Sequence, residues 1–203
     1  MPVPPKPPLS RRELNKLRIR NTILNVAEKN FALYGIDEAS LNEIADLSEI
    51  SRSTLFKYFN GKAEIFEAIV ERMNDVFFIQ IAKKCDETDD PATRILAIFI
   101  EFVEGLERSS APPRKFIGLS IREWNDPQQS RRMERFRLEF YRILNSGKLR
   151  GAPQIDYLVD IVVSIFIGLL HNWRTFDDYP LRQRLVEAAG EIAHMIDRHA
   201  VKI

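Results

Sequence analysis

Residues 40–62 read SLNEIADLSEISRSTLFKYFNGK, and this stretch decides the architecture. Ser40 is placed to cap a helix whose inward face is Leu41, Ile44 and Ala45. Ser48-Glu49-Ile50 is the turn. Ser51 can cap a second helix that carries Arg52, Ser53, Thr54 and Lys57 outward, with Leu55 and Phe59 inward, and Asn60-Gly61 stops it. Two short helices joined by one tight turn make a helix-turn-helix over about residues 39–58. The second helix has the width to enter a DNA major groove.

Upstream of this unit, Ile19, Ile23, Val26, Ala27, Phe31 and Tyr34 recur at helical spacing, so a helix is expected from about Ser10 to Tyr34, ended by Gly35. It completes a three-helix module spanning roughly residues 16–76 with the start of the helix that follows. Residues 1–8 hold five prolines and cannot be helix interior, so residues 1–15 read as an extended basic arm running into the first helix. The charge is uneven. Residues 1–62 hold ten Lys/Arg against seven Asp/Glu, whereas residues 63–203 hold twenty against twenty-two. A basic end on a near-neutral body suits a nucleic-acid-reading module joined to a domain with another task.

Downstream, the reading is helical throughout. A long helix is expected from Gly61 or Lys62 to about Cys85, with Ile65, Phe66, Ile69, Met73 and Val76 on its apolar side. Asp90-Pro91 and Asn125-Asp126-Pro127 are cap-and-proline restarts. A helix ending near Trp124 lies between them, and 145–153 is a break before two last helices at about 154–174 and 181–200. No β-alternation or internal repeat is visible. The expected class is all-α, with about nine helices and a C-terminal domain over 77–203.

The chemistry excludes more than it selects. Three histidines, His171, His194 and His199, sit in none of the HExxH, GxSxG, P-loop or GxGxxG patterns, so no enzyme is expected. The acidic loops Asp86–Asp90 and Asp177-Asp178 read as solvated charge, and neither metal nor cofactor is expected. Cys85 is the only cysteine, which fits a reducing cytoplasm. The longest apolar run, Ile161–Leu170, is too short for a membrane span, so no membrane partner is expected.

Phosphates attract cations, hydroxyls and backbone donors, while base edges need directional side chains. Arg52 is placed to meet guanine O6 and N7; the alternative is a surface pair with Glu49. Asn42 suits adenine or a phosphate, and Ser53 and Thr54 suit base edges or a thymine methyl. Ser40, Ser51, Lys57, Tyr58 and Lys62 complete the candidate DNA contacts.

Phe31, Gly35, Ser40, Ile44-Ala45, Thr54-Leu55-Phe56, Tyr58-Phe59 and Lys62 together resemble the pattern of the TetR family of bacterial transcriptional regulators. Two positions depart from it. Glu49 stands where the family usually has a turn glycine, and left-handed backbone there costs another residue on the order of 1 kcal/mol. Phe56 stands where tyrosine is common, which removes one phosphate-binding hydroxyl, while Tyr58 keeps another. The resemblance implies a homodimeric repressor released from a palindromic double-stranded operator by a small-molecule inducer. It implies an inducer cavity among the C-terminal helices, with Phe99, Phe102, Phe116, Trp124, Phe140, Phe166 and His171 as candidate contacts.

The dimer is also argued from the residues. Tyr157–Leu170 is apolar nearly all round, and Ser164 and Gly168 sit four apart on one edge. With Val163 and Ile167, and with Leu185, Ala189, Ile192 and Ile196 along the last helix, they form the expected four-helix interface. The competing reading is a helical ligand- or protein-binding domain whose helix-turn-helix meets a protein rather than DNA.

Overall fold

The computed structural model describes residues 10–108 and 127–200, and among these residues the regular elements are eight α-helices and one short 3-10 turn. The helix expected to end near Trp124 falls on residues 109–126, outside the described ones. The chain divides into two compact units, Met1–Glu71 and Arg72–Ile203.

The first unit holds α1 (Arg11–Tyr34), α2 (Leu41–Leu47), α3 (Arg52–Phe56) and the opening turns of α4 (Lys62–Cys85). A full capping box starts α1: Ser10 Oγ accepts from Glu13 N–H, and Glu13 Oε2 accepts from Ser10 N–H at 2.8 Å. Gly35, at φ 83, ends it in backbone that favours glycine. Ile23, Leu24, Ala27 and Phe31 from α1 bury with Ile44 and Ala45 of α2, Leu55 of α3, Phe59, and Ile65 and Ile69 of α4. Each of the buried Leu, Ile and Phe side chains contributes about 1.5–3 kcal/mol on leaving water. Two polar atoms in this core, Asn30 Oδ1 and Ser48 Oγ, are buried with no hydrogen-bond partner.

The second unit holds the remainder of α4 with α5 (Pro91–Arg108), α6 (Pro127–Leu144), α7 (Ile155–Thr175) and α8 (Leu181–Ala200). Pro91 opens α5, and Asp90 Oδ2 accepts from the N–H of Thr93 at 2.9 Å and from its hydroxyl at 2.7 Å. The α5 helix lies along α8, α6 packs on α7, and α7 on α8. At 21 residues, α7 is long and apolar enough to cross a membrane by length and composition. Its Ile155, Leu158, Val159, Val162, Val163, Phe166 and Leu170 are buried in the unit's own core. Cys85 is buried there too, and desolvation pushes its thiol up to about 11, leaving a poor nucleophile at neutral pH.

Candidate nucleic-acid interface

The turn between α2 and α3 is a Schellman closure. Ile50 N–H donates to Ala45 O at 3.1 Å and Glu49 N–H to Asp46 O at 3.0 Å. Glu49 occupies the left-handed position, at φ 56, as the one non-glycine residue with positive φ among those described. The glycine's geometry is therefore kept without the glycine. Helix α3 then starts from Ser51, whose Oγ accepts from Thr54 N–H at 3.1 Å and lies 2.9 Å from Ser53 Oγ and 2.8 Å from Thr54 Oγ1. Three hydroxyls thus converge on the first turn of α3.

Leu55 and Phe59 are buried and fix the orientation of α3. Arg52, Ser53 and Lys57 are exposed on it, and Thr54 and Tyr58 are half-buried. The Arg52 guanidinium lies over the Phe56 ring, 5.6 Å from its centroid. That ring supports the guanidinium by a cation–π contact and leaves its planar donors free to reach outward. Phe56 itself is 39% exposed, so the ring that replaces tyrosine faces solvent. The α3 helix is shorter than expected: it ends at Phe56, and Lys57 is its C-cap rather than an interior residue. Ser40 caps α2, its Oγ accepting from Glu43 N–H at 3.4 Å, and Asn42 is exposed one position beyond Leu41.

Lys62 has a partner that sequence reasoning missed. Its ammonium donates to Asp37 O at 2.7 Å and Ala39 O at 3.2 Å, tying the first turn of α4 to the α1–α2 loop. An ammonium has three donors, so one remains for another acceptor. No sequence pattern signals backbone carbonyls more than twenty residues upstream.

In the second unit the structure brings together four of the expected ligand contacts. Phe166 is the hub, with ring centroids 5.4 Å from Phe99, 4.9 Å from Phe102 and 5.9 Å from Phe140. Phe77 joins them, 6.3 Å from Phe166 and 5.6 Å from Phe102. His171 is exposed, five residues along α7 from Phe166 and so turned to another side of the helix. Phe116 and Trp124 lie outside the described residues.

Five residues of the expected dimer stripe are buried within the single chain. Leu185, Ala189, Ile192 and Ile196 of α8 and Val163 of α7 are buried within this chain's own C-terminal core. Ser164 and Gly168 are exposed, Ile167 is half-buried, and a Cβ built at Gly168 would meet nothing within 4 Å.

An ion pair on a buried carboxylate also escaped the sequence. Glu101 is buried, and Lys84 Nζ lies 2.6 Å from its Oε2 and 3.1 Å from Glu104 Oε2. The bond to Glu101 raises the Lys84 pKa. Lys84 and Glu101 stand seventeen positions apart, and nothing in local spacing marks them as partners.

A capped, solvent-facing α3 on a Schellman turn makes the first unit a helix-turn-helix module, and the second unit is all-helical with an aromatic core. Residues 23–69 match the pattern described as "Bacterial regulatory proteins, tetR family". Nucleoid occlusion factor SlmA of Actinobacillus pleuropneumoniae serotype 5b (strain L20) is 23% identical over 181 residues, covering 83% of this chain and 85% of that protein. SmeT, the repressor of the Stenotrophomonas maltophilia multidrug efflux pump SmeDEF, shares the fold with a TM-score of 0.67 at 21% identity, over 84% of this chain and 87% of that one. Thermus thermophilus FadR, solved in complex with lauroyl-CoA, has a TM-score of 0.66 at 18% identity, over 86% and 92% of the two chains.

Proposed function

We propose that this protein is a sequence-specific DNA-binding transcription regulator, a homodimeric cytoplasmic repressor released from a palindromic operator by a small apolar or amphipathic molecule. The observation that carries the reading is α3: Leu55 and Phe59 hold it from inside while Arg52, Ser53 and Lys57 face solvent. Arg52 and Ser53 are the base readers. Ser40, Asn42, Ser51, Thr54, Lys57, Tyr58 and the third donor of Lys62 serve phosphates or base edges.

One module reads too few base pairs for useful specificity, so two half-sites related by a two-fold axis are required. The exposed edge of α7 at Ser164 and Gly168 supports the dimer, because small residues let a second helix approach closely. The phenylalanines around Phe166 support an apolar effector, as does the acyl ligand in the solved FadR relative. Selection of bound sequences from random duplex DNA tests the reading. A palindromic consensus is expected; a pool that enriches no sequence over repeated rounds overturns it.

A further inference from the structure

We infer that the N-terminal half of α1 is a second DNA-contact surface, a phosphate clamp on duplex DNA beside the half-site, built by Arg12, Lys16 and Arg20. The inference rests on the DNA-binding reading above. It uses residues that precede 23–69, the region matched to the family.

Arg12, Lys16 and Arg20 fall at successive fourth positions, so they share one side of the helix. Continued along α1, that side becomes Leu24, Ala27 and Phe31, which are buried in the three-helix core. The face that packs on the helix-turn-helix therefore runs on past the core as a line of cations. Residues 11–18 are exposed throughout. Arg20 marks the junction, its guanidinium 5.3 Å from the centroid of Phe59, the buried ring just beyond α3. The stripe thus leaves the module beside the end of the proposed reading helix.

Charge and rigidity both suit a polyanion. From Ser10 to Ala27 the chain carries Arg11, Arg12, Lys16, Arg18 and Arg20 against one acid, Glu13. That carboxylate is spent locally, accepting from Ser10 N–H at 2.8 Å and Ser10 Oγ at 2.7 Å. The capping box fixes the first turn of a solvent-exposed helix end that would otherwise fray. Cations on a preformed helix gain phosphate contacts without the cost of ordering the backbone on binding.

The test is the salt dependence of binding to the selected operator by the full chain. Each phosphate neutralised contributes about 0.9 to the slope of log K against log salt. Arg12→Gln with Lys16→Gln is expected to lower that slope by about 1.8 per bound module with base preference unchanged. Arg18→Gln, on the other side of the helix, is expected to leave it alone. An unchanged slope in the double variant overturns the clamp while leaving the DNA-binding reading intact. An equal loss from Arg18→Gln overturns the stripe in favour of diffuse charge. A wild-type chain that binds no duplex overturns both readings. Matching thermal transitions show that the variants fold.

Discussion

The Ser48–Ile50 turn and the phenylalanine cluster around Phe166 are both conspicuous in the sequence, but they are readable to different depths. In the turn, each hydrogen bond spans three to five residues, so cap and helix start are written side by side. In the cluster, Phe77, Phe99, Phe102, Phe140 and Phe166 come from four helices. Their identities announce a core, and only the fold says which ring meets which. A local motif thus exposes its chemistry, whereas an assembled core exposes only its composition.

The sharpest way to break this contrast is at the hub. Phe166→Ala is expected to cost about 3–5 kcal/mol, the usual loss for a buried ring. Hydrogen exchange should speed up in α5 and α7 and stay slow in α1, whose core is separate. Equal acceleration in both units would show that the two cores are not energetically distinct.

Gly168→Arg addresses the exposed edge of α7. The protomer has room for the side chain, so the thermal transition should persist while sedimentation shifts from dimer to monomer. A variant that remains dimeric moves the interface elsewhere. Arg52→Ala is smaller, about 1–3 kcal/mol of operator affinity, with base preference relaxed at one position of each half-site. Unchanged preference in a repeated selection would remove Arg52 from the readers.

The smallest effect concerns the turn. Glu49→Gly should stabilise the first unit by less than about 1 kcal/mol, because relief of left-handed strain is partly offset by glycine's freedom in the unfolded chain. A lower melting temperature would mean that Glu49 makes a contact that outweighs its strain.

The helix-turn-helix was legible because Ser40, Ser51 and Gly35 act on neighbours close in sequence. The all-helical class was legible from apolar spacing and from prolines at helix starts, as at Pro91. For the stripe Leu185–Ala189–Ile192–Ile196, periodicity shows that a helix has an apolar face without naming what covers it; within the chain α8 lies along α5. The end of α3 was misplaced because Lys57 and Tyr58 continue in turn-like backbone that propensity does not distinguish from helix. Lys84–Glu101 and the carbonyl partners of Lys62 depend on tertiary proximity alone.

The Lys62 latch has a consequence for the time course of folding. Its acceptors lie 25 and 23 residues upstream, so the bond closes a loop that contains α2 and α3. If it forms after the rate-limiting step, it acts on escape from the native state rather than on folding. Lys62→Met should accelerate unfolding several-fold and leave the refolding limb of a chevron plot almost unmoved. A slower refolding limb would instead place the latch in the nucleus. Under the first outcome, a single ammonium sets how long the three-helix module stays assembled once formed, independently of how quickly it forms.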